Sequence, residues 1–180
     1  MNRIQGEKIT LREYRWEDLA EIRKWVVDSD TTRFLGSNVF IKPQSWEQTE
    51  NYLRNILDGD AGANFVIADK ESLAYLGQVN LMKIDSIARH AELGIVISRE
   101  NQSKGYGREA VEMILKYGFE QLNLNRIYLT VDSANVRAIR VYDNVGFRHE
   151  GRLRENRYID GQYHDTLIMG ILRDEWRTVK

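Results

Sequence analysis

At 180 residues, with 42% hydrophobic and 29% charged, the chain has the size and balance of one folded domain and argues against disorder. Its 26 Lys and Arg face 27 Asp and Glu, a formal charge of −1, so no basic field points to nucleic acid. Cysteine is absent, which excludes disulfides, thiolate metal sites and a cysteine nucleophile.

Ile9-Thr10-Leu11-Arg12 alternates as a first strand. Trp16 to Val27 reads as a helix, with Leu19, Ile22, Trp25 and Val26 at helical spacing. A loop is expected around Gly36 to Lys42. After Pro43, Ser45-Trp46-Glu47-Gln48 forms a capping box that opens a helix to about Leu57, which Asp58-Gly59-Asp60 ends. Strands follow at Phe65 to Ala68, Leu76 to Met82 and Glu92 to Ile97, the last apolar on both faces as in the middle of a covered sheet. A long helix is predicted from about Lys104 to Leu122, its stripe formed by Ala110, Val111, Ile114, Leu115, Phe119 and Leu122. Arg126 to Val131 is a strand, Asn135 to Asn144 a helix with Gly146 at its C-cap, and two strands near Gly151 to Ile159 and Tyr163 to Leu172 flank Asp160-Gly161. The order β-α-α-β-β-β-α-β-α-β-β is that of an α/β domain, expected to span residues 1–180 because a single proline and no Pro/Ser-rich linker interrupt it.

His90, His149 and His164 share no metal-ligand spacing, so no metal is expected. The apolar runs fall far short of the roughly 20 residues that span a bilayer, and Met1 to Glu7 lacks the apolar core of a signal peptide. The expected setting is cytoplasmic, with no membrane partner.

The most informative stretch is Gln102-Ser103-Lys104-Gly105-Tyr106-Gly107-Arg108, between the buried strand and the long helix. A helix N-terminus presents unpaired N–H groups and the positive end of its dipole, and glycines let a phosphate approach the main chain. Lys104 and Arg108 oppose that dipole by about 0.3–1 kcal/mol each, which an anionic ligand would explain. Gly105 to Ala110 also satisfies the dinucleotide fingerprint G-x-G-x-x-A, with Asp132 downstream. Against this, several residues separate the strand end near Ser98 from Gly105, Asp132 lies late, and too little chain follows for a doubly wound sheet. A second site lies two helical turns long on one face: Asn135, Ala138 and Tyr142, closed by Gly146-Phe147. Taken singly, Asn135 reads as an N-cap and Tyr142 as core packing.

Together the two stretches resemble the GNAT superfamily of N-acetyltransferases, whose motif Q/R-x-x-G-x-G/A is followed one strand later by N-x-x-A-x-x-x-Y-x-x-x-G-F; every spacing is met. The resemblance covers the element order throughout and the motifs from Ala91 to Leu172. It implies a mixed, mostly antiparallel central sheet with helices on both faces, and acetyl-CoA as cosubstrate. Main-chain groups of Ile95, Val96 and Ile97 would pair with the pantetheine arm like an added strand. Backbone N–H groups from Gln102 through Arg108 (Ser103, Lys104, Gly105, Tyr106 and Gly107 between them) would hold the pyrophosphate. Asn135 and Ala138 would border the arm, with Tyr142 beside the sulfur. Within the superfamily the chain looks similar to the branch of ribosomal-protein N-terminal and spermidine acetyltransferases, through Tyr117-Gly118-Phe119, Arg126 to Leu129, Glu150-Gly151 and Ile159 to Tyr163. The spermidine enzymes resemble one another in a glutamate-rich loop after the first helix; here Arg33 to Phe40 holds no acid.

Aminolysis of a thioester needs a polarised carbonyl, a neutral amine and a protonated leaving group. N–H groups of Ile95 to Ile97 would polarise the carbonyl, and Tyr142 would protonate the thiolate. Glu92 would act as base through a water; the competing reading is a structural carboxylate paired with Arg89 or Arg126. The expected acceptor is a primary amine, either a protein N-terminus or a small molecule, acetylated directly in a ternary complex. A polyamine acetyltransferase and a non-catalytic acetyl-CoA-binding module are the alternatives, and a homodimer or higher homo-oligomer is compatible with either.

Overall fold

The computed structural model describes residues 3–35, 44–59 and 62–179. Among these residues eight strands form one sheet: β1 (Ile4–Gln5), β2 (Ile9–Arg12), β3 (Ala63–Asp69), β4 (Tyr75–Asp85), β5 (His90–Ile97), β6 (Arg126–Asp132), β7 (Arg148–Ile159) and β8 (Gln162–Leu172), in the order β1-β2-β3-β4-β5-β6-β8-β7. Every neighbouring pair is antiparallel except β5 and β6. A doubly wound dinucleotide sheet is mostly parallel, and this one is mostly antiparallel, so that alternative is excluded by topology.

Helices cover both faces. On one lie α4 (Tyr106–Lys116) and α5 (Val136–Val145), whose Ala110, Val111, Ile114, Leu115, Tyr142 and Val145 meet Leu93, Ile127, Leu129 and Met169 of the sheet. On the other, α1 (Leu19–Val26) and α3 (Trp46–Leu57) set Ile22, Trp25, Val26 and Leu53 against Val66, Ala68, Tyr75 and Val96. Successive β5 residues thus alternate between the two cores, as period-2 side chains between covering layers must.

The predicted elements are all present, with shifted ends. Ser45 caps α3 reciprocally: its hydroxyl accepts from Gln48 N–H at 3.1 Å and its N–H donates to Gln48 Oε1 at 2.7 Å. Trp16–Asp18 is a 3₁₀ turn ahead of α1. The long helix starts at Tyr106, two residues later than expected, because Ser103 and Gly105 adopt left-handed φ of 62° and 88°. It closes in a π-helical turn, Tyr117–Gln121. Among the described residues the short elements β1, α2 (Ser29–Thr32), α6 (Arg173–Val179) and a 3₁₀ turn at Arg99–Asn101 are new. The loop expected around Gly36 to Lys42, Pro43 and Asp60 lie outside the described residues.

A buried ion pair fixes the start of α1. The Arg12 guanidinium, 3% exposed, donates to both Asp18 oxygens at 2.8 and 2.7 Å and to the carbonyls of Glu13 and Leu73. Asp18 also accepts the Arg15 N–H at 2.9 Å. Removing one member of such a pair leaves a desolvated charge, so Asp18→Ala should destabilise the fold by about 3–5 kcal/mol in urea unfolding. A loss below about 1 kcal/mol would contradict this account of the pair.

Candidate active site

Parallel pairing of β5 and β6 runs from His90↔Arg126 to Glu92↔Tyr128 and stops there. Beyond it β6 continues against β8, from Leu129↔Met169 to Asp132↔Thr166, while Leu93–Ile97 keeps its β4 partners. The two strands splay apart, and the β6-facing edge of β5 at Ile95, Val96 and Ile97 is left without a strand. Such an edge accepts an extended ligand as an added strand.

The glycine turn closes one end of the splay. Ser98 seals to β4 through Leu76 O, and Asn101 N–H and Gln102 N–H return to Ser98 O and Arg99 O. The Gln102 N–H, expected as an anion donor, is engaged within the turn. Its side chain bridges instead: Nε2 donates to Ile97 O at 3.0 Å and Oε1 accepts from Arg137 of α5 at 2.6 Å. Ser103 and Lys104 are exposed, with Lys104 Nζ on Asn101 Oδ1. Gly105 is the N-cap of α4 and supplies no capping side chain, so the first-turn N–H groups around Tyr106, Gly107 and Arg108 lack the usual cap. The main chain here is approachable. A Cβ placed on Gly105 would meet nothing nearer than Lys8 Nζ at 3.7 Å, and on Gly107 nothing nearer than Ile97 at 3.6 Å. An uncapped N-terminus, open space and the cations Lys8, Lys104, Arg108 and Arg137 fit a phosphate ligand. Sequence reasoning missed Arg137 and Lys8: one lies outside the glycine motif and the other is about a hundred residues away in the chain.

α5 carries the second motif along the same splay. The Asn135 side chain accepts from Ala138 N–H at 3.2 Å, so it is an N-cap, with its amide NH₂ left for other partners. Ala138 is half-buried against the core. Tyr142 is 8% exposed and packs edge-on to Phe147, 5.7 Å between ring centres. Burial pushes its hydroxyl up to about 12. Gly146 ends α5 at φ 104°, returning its N–H to Tyr142 and Asp143, as a left-handed C-cap should.

On the opposite face, where even-numbered residues of β5 and β6 point, lies a cavity of about 890 Å³ between β6, the β7–β8 hairpin and the α2 segment. Thr130 and Asp132 form its floor; Thr32, Arg33, Phe34 and Leu35 lie across from them. Its carboxylates are Asp30, Asp132 and Asp160. Asp85 instead accepts the N–H groups of Ile87 and Ala88 in its own turn. Each cavity acid already has a cation: Asp30 with Arg99 at 2.9 Å, Asp160 with Arg33 at 2.9 Å and Asp132 with Arg157 at 3.6 Å; Asp132 also shares a hydrogen bond with His164 Nδ1 at 3.0 Å. Glu92 lies on this face where the splay begins. Its partner is Lys83 at 2.7 Å, neither Arg89 nor Arg126; Arg126 is held by Glu150 and Arg89 by Asn123. Among the described residues no group of three or more His, Asp or Glu could hold a metal, and no helix is long and apolar enough to cross a membrane.

A splayed parallel pair with a glycine turn at one end is matched by an independent comparison: residues 8–148 fit the family model described as the acetyltransferase (GNAT) domain. The chain belongs to this family. The acetyltransferase is 33% identical to the spermidine N(1)-acetyltransferase of Vibrio cholerae over 172 residues, 95% of this chain and 96% of that one. It is 36% identical to the Escherichia coli enzyme of the same name over 130 residues, 72% and 68% of the two chains. A Bacillus subtilis chain provisionally named a ribosomal N-acetyltransferase is 33% identical over 104 residues, 58% and 57%. Among solved structures, that of the Vibrio cholerae spermidine N-acetyltransferase with CoA and spermine superposes with a TM-score of 0.86 at 31% identity, covering 96% and 99%. The acetyltransferase is thus an acetyl-CoA-dependent enzyme acting on an amine.

Proposed function

We propose that acetyl-CoA lies along the open edge of β5 and that a primary amine on a body of little further positive charge, such as a peptide N-terminus, reaches it from the cavity. One observation carries the acceptor reading: every carboxylate of the cavity faces a cation already. A polycation entering there loses its hydration without finding free anions to replace it. An α-amine near 7.7–8.0 is also far more neutral at pH 7 than an alkyl amine near 10.4.

In this reading, N–H groups of Ser103 to Arg108 receive the pyrophosphate, with Arg137 and Lys8 as nearby cations. Backbone groups of Ile95 to Ile97 receive the pantetheine arm and polarise the thioester carbonyl. Asn135 offers its amide NH₂ to the arm, past the small Ala138. The amine attacks the carbonyl carbon, the C–S bond breaks, and Tyr142 donates to the departing thiolate. With a hydroxyl held near 12 and a free thiol near 8.5, Tyr142 acts first as a hydrogen-bond donor, and full proton transfer requires the sulfur to be desolvated as well. Glu92, held by Lys83 at 2.7 Å, receives the amine proton through a water. No covalent acyl-enzyme is invoked.

A second reading, a polyamine acceptor, is favoured by the likeness to the spermidine enzymes. Direct competition at neutral pH, with both acceptors below saturation, separates the two. The α-amine peptide should show the higher kcat/KM. A preference for spermidine of about tenfold, some 1.4 kcal/mol, would overturn the acceptor reading while leaving the acetyl-CoA site untouched.

A further inference from the structure

We propose that Arg157 is a positioning residue for the acceptor, fixing the α2 segment across the cavity from Thr130. The inference rests on the reading of that cavity as the acceptor site. The Arg157 guanidinium is largely buried, its side chain 17% exposed, and spans the cavity. On one side it stands 3.6 Å from Asp132, whose own side chain is wholly buried at the end of β6. On the other it donates to three successive carbonyls after α2: Arg33 at 3.3 Å, Phe34 at 3.0 Å and Leu35 at 2.6 Å. These carbonyls belong to the C-cap of α2 and the two residues after it, and the planar, multi-donor guanidinium serves all three at once.

Two further features are built around this contact. Between Leu153 and Arg157, β7 advances four residues while β8 advances two, from Thr166 to His164. This bulge takes Glu155 into left-handed φ at 52°, a conformation that costs a non-glycine residue, and Asp165 compensates by accepting the Glu155 N–H at 2.7 Å. Bulges of this kind re-aim the side chains beside them, and Arg157 lies at the end of this one, lining the cavity. Asp132, in turn, accepts the Ala134 N–H at 2.9 Å with its carboxylate and the Asn135 N–H at 2.9 Å with its carbonyl, so the same residue sets the entry of α5. The chain α2 carbonyls–Arg157–Asp132–α5 therefore ties the acceptor wall to the helix carrying Tyr142. Among the described residues, Arg33–Asp160 at 2.9 Å is the one ion pair between the α2 segment and the hairpin.

The test compares wild type, Arg157→Ala and Arg157→Lys by hydrogen exchange and by steady-state kinetics, using as acceptor a short peptide with a free α-amine or, if it proves the better substrate, spermidine. In Arg157→Ala the amides of Thr32, Arg33 and Leu35, which close onto Asp28, Ser29 and Thr32, should exchange about tenfold faster or more, as expected on losing several hydrogen bonds to a charged donor. The acceptor KM should rise by about tenfold, with the acetyl-CoA KM changing less than about twofold. Arg157→Lys, which keeps the charge beside Asp132 but reaches fewer carbonyls, should fall between. Should Arg157→Ala fail to fold because Asp132 loses its main partner, Asp132→Asn/Arg157→Ala removes the orphaned charge and should show the same split. Unchanged exchange at those amides overturns the proposal, as does a rise of both KM values in step. If wild type acetylates no amine, the functional reading fails by itself, and the exchange data still decide whether the latch exists.

Discussion

Gly107→Val is expected to abolish CoA binding without unfolding the protein. Gly107 lies in the first turn of α4, and an added Cβ would meet the protein no closer than 3.6 Å. Valine is moreover a better helix former than glycine, so the melting temperature should hold or rise. The branched side chain instead fills the space a phosphate needs beside the first-turn N–H groups. Two charge-assisted hydrogen bonds lost at about 1.5–3 kcal/mol each weaken binding about a hundredfold or more. Titration calorimetry checks it against thermal melting. CoA bound by the variant with wild-type affinity would remove the glycine turn from the cosubstrate site; a fall in melting temperature matching the loss of binding would make Gly107 a packing residue.

Tyr142→Phe is expected to lower kcat by about 10²–10⁴-fold, the usual range for a general acid, and to leave the acetyl-CoA KM near its wild-type value. The ring and its packing against Phe147 remain; the hydroxyl alone is lost. The sign of the pH dependence follows from burial. The protonated hydroxyl is the active form, and burial raises it to about 12, so its loss reduces the rate only as pH rises well above 10. Below that the wild-type rate should climb with pH as the amine loses its proton. An unchanged kcat in the variant would leave Tyr142 as packing alone.

What the sequence made legible was whatever carries a period or a turn signal. The stripe of α4, the alternation of β5 between two cores and the Ser45–Gln48 capping box each follow from local spacing. β1 has two residues, too few to show alternation, and α2 reads Ser-Asp-Thr-Thr with no apolar face. α6 is anchored in the core mainly by Trp176. The splay itself is a matter of register between strands some 30 residues apart, which no local pattern encodes. The glycine turn and the Asn135–Tyr142 face were visible as spacing. The cavity was not: its acids, Asp30, Asp132 and Asp160, come from α2, β6 and the hairpin. No local pattern reveals the Lys83 partner of Glu92, which sits across a bulge in β4, where Lys83 is itself left-handed.

In the proposed mechanism acetyl passes directly from CoA held in the splay to an amine entering from the opposite face. Initial rates of thiol release, measured with acetyl-CoA and amine varied together and the product followed by mass spectrometry, test it most directly. Peptide α-amines, polyamines and aminoglycosides form the acceptor panel. Ternary-complex transfer predicts intersecting double-reciprocal lines, thiol release that requires an amine, and one acetylated amine for each thiol released. Parallel lines, or thiol release at the same rate without any amine, would contradict it.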